Sequence, residues 1–176
     1  MIYIALFRGI NVAGRNVVPM GELVRHFELA GCENVLSYVQ SGNIVFHSGK
    51  AFDERNAAGI AKRMLDINGF EPRILILTPE DLQVAVQNNP FPTTIGKALH
   101  FFFLESHPEQ PNLALLESAK TGAEEFALRG KVFYLHAPEG IGRSKLAATI
   151  EKTLGVPATA RNWNTVAQLV AMAGPA

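Results

Sequence analysis

The stretch NVLSYVQ-SGN-IVFH, residues 34–47, decides the fold. Two β-type runs, Asn34 to Gln40 and Ile44 to His47, are separated by Ser41, Gly42 and Asn43, residues that tolerate the positive φ a tight hairpin needs. A hairpin here makes the sheet antiparallel and argues against a doubly wound parallel one. Upstream, Tyr3 to Arg8 alternates and is rich in strand formers, and the Gly/Asn-rich stretch Gly9 to Val18 ends it. Pro19 suits a helix's first turn, after which Leu23, Val24, Phe27 and Ala30 recur at helical spacing as far as Gly31. Downstream, Ala57, Ile60, Ala61, Met64 and Leu65 form an apolar helical stripe closing at Gly69, and Arg73 to Leu77 is a continuous apolar strand. The order is β-α-β-β-α-β.

The same order returns. Thr78-Pro79-Glu80-Asp81 starts a linking helix, with a capping hydroxyl, proline at the first helical position and acids in the positively polarised first turn. Pro90 and Pro92 then mark a connection. After it come a strand (Ala98 to Leu104), a helix (Leu113 to Lys120), a hairpin around Arg129-Gly130-Lys131, a helix (Leu146 to Leu154) and a short strand (Ala158 to Arg161). A closing helix, Thr165 to Ala171, has Thr165 and Gln168 spaced as a capping box. The fold class expected is α+β: two consecutive ferredoxin-like (split β-α-β) units with mainly antiparallel sheets, a linking helix and a C-terminal helix. The expected boundaries are 1–88 for the first unit with its linking helix, 89–97 for the connection and 98–176 for the second unit with the closing helix.

Composition excludes several classes. The chain has 176 residues with 48% hydrophobic content, and 16 Lys+Arg balance 16 Asp+Glu, so there is ample apolar surface to offset the entropy of ordering. Cys32 is the single cysteine, so neither an intrachain disulfide nor a multi-cysteine metal site is available. No apolar run approaches the roughly 18–20 residues of a membrane span, and the start lacks a basic segment with a cleavage site. The expectation is a cytoplasmic protein with no membrane partner. His26, His47, His100, His107 and His136 show no metal-ligand spacing, so no metal is expected. Nor is a cofactor. Gly9 and Gly14 have half the spacing of a phosphate-binding P-loop, but Arg15-Asn16 stands where Lys and Ser/Thr would be needed. Cys32, just past a helix end, lacks the cationic setting of a reactive thiolate, and no nucleophile elbow or carboxylate pair names a reaction.

Topology gathers two loop clusters. Right-handed crossovers bring the loop Arg8 to Val18 to the same sheet edge as the hairpin turn Gln40 to Asn43, and Gly140 to Lys145 to the same edge as Arg161 to Thr165. The first cluster offers Arg8, Gly9, Asn11, Arg15, Ser41 and Asn43, with no acid between residues 8 and 21. The second offers Arg143, Ser144 and Lys145 at a helix start, where free backbone N–H groups favour anions, beside Arg161, Asn162, Asn164 and Thr165. From Gly140 to Thr165, four cations face Glu151 alone. Each cluster also has a plain structural reading, with Ser144 and one of Asn162, Asn164 or Thr165 acting as helix caps and Trp163 as an anchor for the closing helix.

The segments YIALFRGINVAGRNVVPMGEL, VLSYVQSGNIVF, GIGRSKL and ATARNWNTVAQL together resemble domain-of-unknown-function family 1697 (DUF1697), small bacterial proteins without an established activity. The resemblance implies two ferredoxin-like units and supplies no reaction. Its signature positions fall on Arg8, Gly9, Asn11 and Gly14, on Ser41, Gly42 and Asn43, on Arg143, Ser144 and Lys145, and on Arg161 to Thr165. Where this chain has Ala13-Gly14, family members often carry two glycines.

The leading functional expectation is a basic, amide-rich groove between the two units that binds a small anionic ligand, a phosphate or carboxylate compound. A nucleic-acid-binding module is the first alternative. Arg129-Gly130-Lys131-Val132-Phe133 partly matches an RNA-recognition motif, but Lys131 and His136 stand where stacking aromatics belong, and a neutral chain lacks a broad basic face. The second alternative is a protein-interaction module whose motif residues only cap helices and pin hairpins.

Overall fold

The computed structural model describes residues 1–174. The first half contains β1 (Ile2–Arg8), α1 (Met20–Glu28), β2 (Glu33–Tyr38), β3 (Asn43–His47), α2 (Glu54–Asn68) and β4 (Arg73–Leu77). α3 (Pro79–Gln87) follows, then β5 (Leu99–Leu104), α4 (Leu113–Ala119), β6 (Glu125–Arg129), β7 (Val132–His136), α5 (Lys145–Leu154), β8 (Ala158–Asn162) and α6 (Trp163–Ala173). The architecture is α+β, with two four-stranded sheets ordered β2-β3-β1-β4 and β6-β7-β5-β8 and antiparallel at every pairing. Two compact units divide the chain, Met1–Gln83 with the end of α6 from Leu169, and Val84–Gln168, the divisions falling inside α3 and α6.

Local chemistry sets the helix limits. At α3, Thr78 Oγ1 accepts the Asp81 amide at 3.1 Å while Asp81 Oδ2 accepts the Thr78 amide at 2.8 Å, a reciprocal cap with Pro79 just inside. At α2, Asp53 accepts the Arg55 and Asn56 amides and Asn56 Oδ1 accepts the Asp53 amide at 2.9 Å. Gly69 and Gly155 close α2 and α5 in the left-handed conformation that glycine adopts without steric cost.

Several boundaries differ from the sequence expectation. α6 starts at Trp163, because Asn162 Oδ1 accepts the Thr165 amide at 3.0 Å; Asn162 is the cap, and the spacing of Thr165 and Gln168 is not used as one. Pro19 occupies the N-cap of α1 rather than its first turn, with φ −58° and ψ 137°. β2 ends at Tyr38, paired with Asn43, so the turn is Val39–Gly42 and Asn43 belongs to the strand. β1 does not alternate in burial: Tyr3 through Phe7 are all buried, as befits a strand with a neighbour on each side and cover on both faces.

In the first unit one face of the sheet packs Tyr3 and Phe46 against Phe27 of α1, Phe52 just before α2, and Ile60 and Met64 of α2. Phe46 lies 4.9 Å from Phe27 and 4.7 Å from Phe52 by ring centroids, tilted and edge-on, the arrangement aromatic quadrupoles prefer. In the second unit Phe102, Leu104, Phe133 and Leu135 pack under Leu116 of α4 and Leu146, Ile150 and Leu154 of α5. Burial of each such side chain contributes about 1.5–3 kcal/mol, and these two cores hold the sheet edges, with their loops, in place.

Candidate functional site

The first unit brings its expected loop residues together at one edge of the sheet. Leu6 of β1 pairs with Asn43 of β3, which places the ends of both strands side by side. Asn11 is the hub: its Nδ2 donates to Gln40 O at 2.8 Å and Val18 O at 3.0 Å, and its Oδ1 accepts the Val18 amide at 2.8 Å. Asn16 Nδ2 donates to Gly9 O at 2.9 Å. Asn43 is buried, and its Nδ2 donates to Tyr38 O and Ser41 Oγ, closing the turn. The contact between loop and turn is close: a Cβ on Gly42, whose φ is 75°, would lie 2.5 Å from Ile10 Cδ1. Thus Asn11, Asn43 and Gly42 are used in building the edge. Arg15 is exposed, and Arg8 is half-buried opposite Arg73.

In the second unit β5 pairs Leu99 with His136 and His100 with Asn162, so the chain leaving β7 toward α5 and the chain leaving β8 toward α6 emerge at one edge. Here too several expected residues serve locally. Ser144 is buried and its Oγ accepts the Ala147 amide at 2.9 Å, capping α5. Asn164 packs over Gly96, where a Cβ would overlap its side-chain amide. Trp163 stacks on Phe101 at 5.9 Å. Arg161 is only 8% exposed, donates from Nη1 to Ala160 O at 2.8 Å, and burial pushes its guanidinium down to about 10.

A cavity of about 330 Å³ opens at the start of α5. Its lining includes Gly140, Gly142, Arg143 and Ser144 together with Thr121, Glu124 and Glu139. Arg143 is exposed and makes no ion pair among the described residues. The two carboxylates were not legible as site residues. Glu124 is 8% exposed, and its Oε2 accepts the Thr121 amide at 2.9 Å and the Thr121 hydroxyl at 3.3 Å. Glu139 leans over Gly122, where a Cβ would lie 3.2 Å from its Oε1. The local excess of cations along the chain is therefore partly balanced in space.

Other reactive groups lie elsewhere. Cys32 is buried, and burial pushes its thiol up to about 11, the opposite of a nucleophile's setting. His100 is buried with Nδ1 unpartnered among the described residues, and desolvation lowers its pKa, offset in part by the Ala98 backbone. Among the described residues no group of three or more His, Cys, Asp and Glu side chains is placed to hold a metal, and no helix is long and apolar enough to cross a membrane.

No curated protein matches this chain. Among solved structures it is similar to one described as conserved bacterial protein SP0830 from Streptococcus pneumoniae, at 26% identity and a TM-score of 0.66, with 98% of each chain covered. The family model described as "Protein of unknown function (DUF1697)" matches residues 1–134. That span holds the Asn11-centred loop, the hairpin at Gly42 and the sheet they edge, and with it the chain belongs to the DUF1697 family.

Proposed function

We propose that this protein binds a small anionic ligand, bearing phosphate or carboxylate, at the start of α5. The observation that carries the reading is the cavity of about 330 Å³ lined by Gly140, Gly142, Arg143 and the cap Ser144 just before the ten-residue α5, where Arg143 makes no ion pair among the described residues. Guanidinium groups and helix starts both favour anions, and this volume, at the small end of the roughly 300–1,000 Å³ of typical ligand sites, suits a compact one. Each unit is read as a ferredoxin-like split β-α-β and the chain as a duplication of it; the shared strand order and antiparallel pairing support that reading. Binding is assigned here and no reaction is. The single buried cysteine suits a reducing cytoplasm.

Calorimetric titration with inorganic phosphate and with acetate tests the reading. Binding to the wild type that falls at least about 10-fold in Arg143→Ala supports it, since a charge-assisted hydrogen bond is worth roughly that much. Binding unchanged in the variant overturns it, as does failure of the wild type to bind phosphate, acetate and the amine-bearing anions phosphoethanolamine and β-alanine alike. A second reading, a protein-interaction module with structural motifs, is favoured by the local work of Asn11, Asn43, Ser144 and Asn162. It requires that neither anion binds and that substitution of those residues lowers the melting temperature.

A further inference from the structure

The cavity at the start of α5 is not lined as a pure anion site would be. Arg143 lines it, but Glu124 and Glu139 line the same space, and no ion pair joins them to Arg143 among the described residues. Glu124 is the more telling. It is more than nine-tenths buried, Thr121 supplies both of the hydrogen bonds to its carboxylate, and both reach Oε2. Oε1 has none among the described residues and is not sealed from solvent-sized access. Oε1 is thus the atom of a mostly buried carboxylate that stays open to a donor or a cation. Glu139, from the chain entering α5, adds a second acid to the same lining beside Gly122. An anion alone would meet Arg143 and be repelled by both acids. A ligand with charges of both signs would satisfy all three side chains.

We propose that the ligand of this cavity is zwitterionic, a small molecule whose primary ammonium group is received by Glu124 and Glu139 and whose carboxylate or phosphate is received by Arg143 and the chain Gly140 to Ser144 that leads into α5. This rests on the anion-binding reading above and narrows it. The ammonium group has three donors to give, and Glu124 Oε1 and the Glu139 carboxylate are the acceptors. The anionic end meets the guanidinium and the positive end of the helix. Discrimination against a purely anionic isostere follows, because without the ammonium the acids remain unpaired and oppose the ligand's charge.

Two isosteric pairs test the proposal by calorimetry: phosphoethanolamine against propyl phosphate, and β-alanine against butyrate. In the wild type the ammonium-bearing member of at least one pair binds about 10-fold or more tighter than its partner. Glu139→Gln, at an exposed position, and Glu124→Gln, which keeps an acceptor for Thr121, each shrink that gap. Arg143→Ala weakens both members of the pair alike. Equal affinity within both pairs, or a gap that survives both glutamine variants, overturns the zwitterion proposal; in either case Arg143-dependent binding of all probes would leave the anion site standing. Failure of all four compounds and inorganic phosphate to bind overturns both.

Discussion

Val39 stands at φ 50° at the tip of the first hairpin with its side chain 48% exposed. A β-branched residue there crowds its Cβ against the backbone, at a cost of about 1–2 kcal/mol, and an exposed side chain recovers little by packing. Val39→Gly removes that crowding and makes the unfolded chain more flexible, which returns part of the gain. The expected outcome is a rise in stability of up to about 1 kcal/mol, read as a higher denaturant midpoint at unchanged slope. A lower midpoint would show that Val39 is held by contacts worth more than the strain. Legibility at this scale depends on residue type. Gly42 announced a positive φ, and the structure places it at 75° against Ile10 and Phe7. Val39 announced the reverse, because turn geometry and not side-chain preference fixes its backbone. Ala13, at φ 49°, stands in the left-handed region that glycine adopts without steric cost.

Among the elements, β5 holds the buried histidine from which a pH dependence is expected. His100 lies in its apolar run with only 9% exposure, beside Leu135 and Asn162 on the neighbouring strands, and Nδ1 has no partner among the described residues. Desolvation disfavours the imidazolium, so the folded pKa lies below the ordinary 6.5, and the unfolded chain takes up the proton first as pH falls. The associated stability is complete above the unfolded value and is lost as pH falls through the folded one. His100→Gln should therefore lose less stability than the wild type between pH 7 and pH 5, compared by denaturant titration at each pH. Equal losses would show that His100 protonates in place with its charge accommodated. Element order was legible throughout because hydrophobic period and turn residues act locally: the hairpin at Ser41-Gly42, the cap at Thr78-Pro79 and the buried run at Phe101 all lie where the chain's own pattern puts them. Helix starts were less legible. Asn162, Asn164 and Thr165 are all capable caps, and only the path of β8 into α6 selects Asn162.

At the scale of the whole molecule, charge decides between partners. The cations at the start of α5 could be found by reading along the chain, since Arg143 and Lys145 are neighbours in sequence. Glu124 could not: it reaches the same cavity from the far side of a hairpin, and its burial is a property of the fold. The same logic bears on nucleic acid. The formal net charge is 0, and on the face of the second sheet where an RNA-recognition domain would stack bases, Phe101, Phe103 and Tyr134 are at most 3% exposed. If backbone affinity came from the motif loops, it would rest on their exposed cations Arg15, Arg143 and Lys145, and each neutralised phosphate contributes only about −0.9 to the slope of log K against log salt. Three contacts would give a slope near −3 at most, too few to hold a duplex at physiological salt. Fluorescence anisotropy with labelled single-stranded RNA and duplex DNA should therefore show no saturable binding at about 0.15 M salt, and any binding at low salt should vary no more steeply than a slope of about −3. A steeper slope would demand more phosphate contacts than these three side chains supply, and would move the functional reading from a small charged ligand to a polyanion.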